Sequence, residues 1–203
     1  MSPEELLSKG ERTRQAVLDA AYALFLGQGY SATSMRQIAE KAGIALGGIY
    51  NHFASKDEIF QELVIAKHPY VQIFPILHTV PGDTIEEFLM NAARVIEIEM
   101  LQRPDFFKLM FIELVEFGGR HFTKLIEIIM PLATPILQRF ADPNSGARPL
   151  PPLVIMRTFL GMIIGFYVTG LLTSDPSVPA EMREVKLGDF VNIYLHGILV
   201  TRN

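Results

Sequence analysis

Apolar residues along this chain recur at three- and four-residue intervals almost throughout, and hardly any stretch alternates with period two. The pattern predicts eight to ten helices and no sheet. Three short helices are expected within residues 10–53, followed by longer ones at 55–67, 84–103, 104–117, 120–140, 152–173 and 178–201. Residues 70–80 are apolar and aromatic but ambiguous. Ser34-x-x-Gln37, Ser55-x-x-Glu58 and Thr84-x-x-Glu87 match the capping box, in which side chains satisfy the free N–H groups at a helix start. Breakers separate the periodic runs: Gly27 with Gly29, Gly43, Pro69, Pro81-Gly82, Pro104, Gly118-Gly119, Pro131 with Pro135, and Pro176 with Pro179. Residues 142–152 read as the clearest long loop. No internal repeat is visible, and the expected class is all-α.

The N-terminal third holds the most specific pattern. Val17, Leu18, Ala21, Leu24 and Phe25 make one apolar stripe, which stops at Gly27-Gln28-Gly29. Two short helices then fit residues 34–51, with Ala39 small where they would touch and Gly43 where a left-handed backbone is needed. Ile38, Ala42, Ile44, Ile49 and Phe53 can close the core beneath them. This is the plan of a helix-turn-helix whose second helix, about Ala45 to Asn51, enters a DNA major groove. Thr33 and Ser34 at one helix start and Ser55-Lys56 at another suit phosphate, because helix N-termini attract anions. Lys56 in a first turn is unfavourable for an isolated helix, and a phosphate there would explain it; Arg36, Tyr50 and His52 add donors.

Residues 12–63 resemble the N-terminal domain of the TetR family of bacterial one-component transcriptional regulators. The resemblance rests on Gly29-Tyr30, Ser31-Ala-Thr-Ser, Ile38-Ala39-Glu40-Lys41-Ala42-Gly43 and above all Ile49-Tyr50-Asn51-His52-Phe53 with Ser55-Lys56. It implies an N-terminal three-helix DNA-binding domain over 1–54 and a helical ligand-binding and dimerisation domain over 55–203. It further implies a homodimer on a palindromic double-stranded operator, usually a repressor released by a small ligand. The positions matching family phosphate contacts are Thr33, Ser34, Arg36, Tyr50, His52 and Lys56; those matching base-reading positions are Ala45, Leu46, Gly47, Gly48 and Asn51. Many members open the recognition helix with Ser-Lys-Gly-Thr, whereas this chain has Ala45-Leu46-Gly47-Gly48. Base discrimination would then rest on thymine methyls, on Asn51, and on close backbone approach at the glycines, with operator shape adding to it.

Charge changes that picture little. The 203 residues carry 18 basic and 22 acidic side chains, a net of −4, and residues 1–60 hold six basic and seven acidic ones, a net of −1. Non-specific DNA affinity should be modest and fall early as salt rises. With no cysteine there is no disulfide and no thiolate chemistry. The acidic start Met1-Ser-Pro-Glu-Glu5 is unlike a signal peptide, so a soluble, cytoplasmic protein is expected. No Gly-rich phosphate loop, Gly-x-Ser-x-Gly elbow or metal-ligand spacing is present, so neither an enzyme nor a cofactor or metal site is expected.

The rest of the chain reads as core and pocket. Phe and Met are frequent over residues 88–140, and such side chains fill irregular cores or line apolar pockets. Phe106, Met110, Phe111, Phe117 and Phe166 are candidate contacts for an apolar or aromatic ligand. At about 100° per residue, Glu113 and Glu116 share a face with Asp105 and Lys108 and read as solvated, which leaves Glu113, Glu116 and His121 a weak metal set. Glu99 falls among apolar neighbours instead, so it is expected to be buried, either paired with Arg157 or facing the ligand. Thr158 to Leu172 carries no charge and contains Gly161-x-x-x-Gly165; it is too short for a membrane span and reads as a buried helix, with glycines for close approach within one core or between subunits. As the resemblance implies, the last two helices form the dimer contact, through Gly161, Gly165, Phe166, Val168, Leu172, Phe190, Ile193, Tyr194 and Gly197. A DNA-binding regulator controlled by a protein partner, without a small-molecule ligand, is the alternative.

Overall fold

A computed structural model describes residues 8–142 and 145–198. The described residues form eleven helices: α1 Lys9–Gln28, α2 Met35–Lys41, α3 Leu46–Ile49, α4 Lys56–Lys67, α5 Pro69–Leu77, α6 Ile85–Leu101, α7 Phe106–Phe117, α8 Phe122–Ala141, α9 Pro152–Leu172, α10 Ala180–Arg183 and α11 Leu187–Ile198. The all-α class holds. The chain divides into two compact units, residues 1–68 with 105–127 and residues 69–104 with 128–203. The expected boundary after residue 54 does not match this division, because α4 and α7 pack with the N-terminal helices.

In the first unit α1 packs on α2, α4 and α7, and α2 on α3. Val17, Leu18, Ala21 and Phe25 of the α1 stripe are buried, Leu24 partly, over Ile38, Ala39, Ile49 and Phe53. The first helix is 20 residues long, not short, and begins at a Ser8–Glu11 capping box. Of the three expected boxes, Ser34–Gln37 is complete. At Ser55 and Thr84 the cap accepts from N3, but the returning Glu58 and Glu87 accept from Ala54 and Asp83, one residue earlier.

In the second unit α6 packs on α5 and α11, and α11 on α9. Residues 69–77, ambiguous in sequence, are helical and bury Ile73, Phe74 and Leu77. Pro131 and Pro135 do not break α8; both are exposed, so the carbonyls they leave without a backbone partner lie beside water. The expected helix 178–201 is instead α10 and α11, since α10 buries no residue and has no packing to extend it. In α9 only Ile155, Phe159 and Ile163 are buried, which corrects the buried-helix expectation. By length and composition this 21-residue helix would suffice to cross a membrane.

Two positions generate predictions. A Cβ on Gly82 would meet the Phe88 backbone N at 2.5 Å, where the loop crosses the start of α6. Gly82→Ala should cost about 1–3 kcal/mol in urea unfolding. His68, 6% exposed between Phe106 and Phe122, is pushed down by burial from 6.5 to about 4. The unfolded chain therefore binds this proton more readily than the folded one. Its contribution is complete above pH 6.5 and lost as pH falls toward 4, about 3 kcal/mol in all. The loss of stability between pH 7 and 4.5 should shrink in His68→Gln.

Candidate functional site

The candidates for DNA contact lie at the starts of α2, α3 and α4 and in the turn that follows α3, all in the first unit. Gly29, at φ 86°, ends α1 and sends Tyr30 back toward Phe25 and Phe60. Ser34, in extended backbone, caps α2 and leaves Arg36 exposed on its first turn. Gly43, at φ 71°, makes the turn, and the Ile44 N–H donates to the Ala39 carbonyl at 3.0 Å. Ala45 precedes α3 in extended backbone and gives no side-chain cap. The helix proper stops at Ile49, but the Phe53 N–H still donates to the Ile49 carbonyl, so the turn carries on to Phe53.

Ile49 and Phe53 point inward at 0% and 1% exposure, which turns Leu46, Gly47, Tyr50 and Asn51 outward. Ala45 is exposed, and Gly48 and His52 are half-buried. A Cβ at Gly47 or Gly48 would meet nothing within 4 Å, so the fold itself does not require glycine at either position. The outward surface of this turn is bare backbone flanked by Leu46 and Tyr50.

Thr33 departs from expectation as a phosphate contact. It is 2% exposed; its hydroxyl donates to the Gly29 carbonyl at 2.8 Å and accepts from Gln28 Nε2 at 3.2 Å. The Lys56 ammonium is also engaged, donating to the Tyr30 and Thr33 carbonyls at 2.7 and 2.6 Å and lying 4.0 Å from the Tyr30 ring. Burial lowers its pKa, with the Glu116 charge opposing. Lys56 thus ties α4 to the segment before α2, and these contacts explain its first-turn position without a phosphate.

Sequence reasoning misplaced one of the two acidic residues behind this surface. Glu113 is not solvated but fully buried, accepting from the His121 backbone N–H and from His121 Nδ1 at 2.8 and 2.7 Å. Gly118 and Gly119, both left-handed, fold the chain back after α7, so a face drawn on a continuing helix missed the contact. Glu116 is exposed, as expected, and accepts from the Ser31 hydroxyl. No group of three metal-binding side chains exists among the described residues.

The ligand candidates divide between the two units. Phe106, Met110, Phe111 and Phe117 belong to the first unit, where Phe117 packs on Tyr30 and Phe60 and Phe111 is exposed. Glu99 and Phe166 belong to the second. Glu99 pairs with Arg103 at 2.7 Å rather than with Arg157, because Arg103 lies one turn away on the chain and Arg157 is exposed. The apolar cavity of the second unit measures about 20 Å³ and is lined by Phe74, Phe88, Ile96, Ile136, Phe140 and Phe159, among others. None of the six candidates lines it.

The dimer candidates lie together on α9 and α11. Leu172 and Ile193 are 77% and 74% exposed, Gly161 and Gly197 are exposed, and Gly165, Val168 and Tyr194 are half-buried. Phe166 meets Phe190 with ring centroids 5.4 Å apart. The Tyr194 hydroxyl donates to the Ile155 carbonyl. A Cβ at Gly161, Gly165 or Gly197 would meet nothing within 4 Å, so no close approach among the described residues requires these glycines.

The profile described as "Bacterial regulatory proteins, tetR family" matches residues 17–63. The transcriptional regulator SrpR of Pseudomonas putida is 29% identical over 192 residues, covering 90% of this chain and 85% of its own. The uncharacterized HTH-type transcriptional regulator YvkB of Bacillus subtilis is 31% identical over 173 residues, covering 83% and 89%. Among solved structures, NalD, the secondary repressor of the MexAB-OprM multidrug efflux pump in Pseudomonas aeruginosa, aligns with a TM-score of 0.63 at 25% identity, covering 93% and 96%.

The bare turn yields a test. Gly47→Ala and Gly48→Ala should each leave stability unchanged or raise it by up to about 1 kcal/mol, as helix propensity dictates. Both should weaken binding to duplex DNA, measured by fluorescence anisotropy.

Proposed function

The chain belongs to the TetR family of bacterial regulatory proteins and is a DNA-binding transcriptional regulator; from that premise we propose that it is a repressor that grips a palindromic operator as a homodimer and is released by a small apolar or aromatic ligand. One observation carries the homodimer. The uncharged run of α9 presents exposed glycines and leucines that no other described residue covers. A two-fold axis through α9 and α11 would use the same patch on each subunit and set two recognition turns about 34–36 Å apart. Ser34, Arg36, Tyr50 and His52 would hold phosphates while Ala45, Leu46, Gly47, Gly48 and Asn51 meet base edges. Likeness to NalD, itself a repressor, supports the sign of regulation. The site of action is the cytoplasm, and the reading needs neither a cofactor nor catalysis.

The aromatic lining of the second unit's cavity supports an apolar ligand, which would have to open it. Small-molecule pockets run to about 300–1,000 Å³, against about 20 Å³ here. Control by a protein partner, without a small-molecule ligand, is the second reading.

Selection from a random duplex library with purified protein tests the proposal. Enrichment of an inverted repeat with half-sites one turn apart, bound by a dimer, is the expected result; a folded dimer that enriches no palindrome would sink it. The recovered duplex then allows a release screen with apolar and aromatic compounds. Release by none of them would transfer control to a protein partner.

A further inference from the structure

The corner between α7 and α8 holds a buried polar pair that no DNA contact uses. Both Glu113 carboxylate oxygens are occupied by His121, one by its backbone N–H and one by Nδ1. The other ring nitrogen, Nε2, faces Asp57 Oδ2 at 3.5 Å, and Arg120 holds the second Asp57 oxygen. Asp57 sits in the first turn of α4, directly after Ser55 and Lys56. From the same corner Glu116 accepts from the Ser31 hydroxyl at 2.8 Å. The contacts of this corner therefore land on residue 31, in the segment that leads into α2, and on residue 57, in the first turn of α4. Lys56 joins those segments to each other through the Tyr30 and Thr33 carbonyls.

We propose that His121, Arg120 and Asp57 are positioning residues for DNA binding: the α7–α8 corner fixes the helix starts at Ser34 and Ser55 that flank the recognition turn. Glu113 anchors His121, and its burial makes the corner stiff. The inference rests on the operator-binding reading, and its sign separates it from a simpler one. Asp57 and Arg120 are 43% and 58% exposed, so their ion pair adds little to global stability. As no more than an acidic charge near DNA, Asp57 would repel phosphate, and Asp57→Asn would raise affinity. A positioning role requires the opposite.

The test uses the full-length protein with Asp57→Asn, His121→Gln and the double variant, at constant salt, on the selected duplex. Glu113 stays unaltered, and His121→Gln keeps the backbone N–H and a side-chain N–H donor for its buried carboxylate. Affinity should fall about tenfold in Asp57→Asn with an unchanged urea midpoint, and the double variant should lose less than the two singles combined, because both remove the His121–Asp57 contact. Amide hydrogen exchange, which needs no DNA, should speed up at residues 30–37 and 55–60. Affinity retained or raised in Asp57→Asn, or unchanged exchange there, overturns the proposal. If His121→Gln does not fold, Asp57→Asn decides alone. If the wild type binds no duplex, the operator reading fails and the exchange data still decide the positioning role.

Discussion

Tyr30 sits where three helices of the first unit meet, its ring 5.3 Å from Phe25 of α1, 5.3 Å from Phe60 of α4 and 4.6 Å from Phe117 of α7. Phe60 and Phe117 stack at 4.7 Å, so the four rings form one contiguous apolar seam. Aromatic pairs of this kind add about 0.5–1.5 kcal/mol each beyond the area they bury. The seam joins the helix-turn-helix to α4, which follows it, and to α7, far from it in sequence. Lys56 adds its charge above the Tyr30 ring and two hydrogen bonds to the Tyr30 and Thr33 carbonyls ahead of α2. The placement of α2 and α3 thus depends on a cluster that touches no candidate base contact.

The helical class and most helix bounds were legible because period and caps are local signals. So was the core of the helix-turn-helix, where Ile38, Ala39, Ile49 and Phe53 are each buried. Contacts made by a returning chain were not. Glu113 read as solvated because its helical face was projected without the reversal at Gly118-Gly119. Glu99 was assigned a distant partner when Arg103, four residues on, was within reach. Thr33 looked like a phosphate ligand because the sequence pattern does not reveal which way a hydroxyl turns; here it turns toward Gly29. Pro131 and Pro135 read as breakers, yet exposure makes a missing N–H tolerable.

The second unit shows the limit of composition as a guide. Its Phe residues do line an interior space, but Phe74 and Phe159 lie outside the richest Phe/Met stretch, while Phe106, Phe107 and Phe117 within it belong to the first unit. Aromatic density along a chain does not say which core a ring enters. The uncharged run 158–172 of α9 misled in a related way, since an apolar run does not by itself say whether a helix is buried.

The recognition turn has a thermodynamic consequence. Ala45, Leu46, Gly47 and Gly48 carry no charge, and their outward surface is methyl groups and backbone. Contact made by such a surface draws its free energy from water leaving apolar groups more than from counterions leaving phosphates. Its calorimetric mark is a negative heat-capacity change, with affinity that varies with temperature more than a lysine-led turn would show.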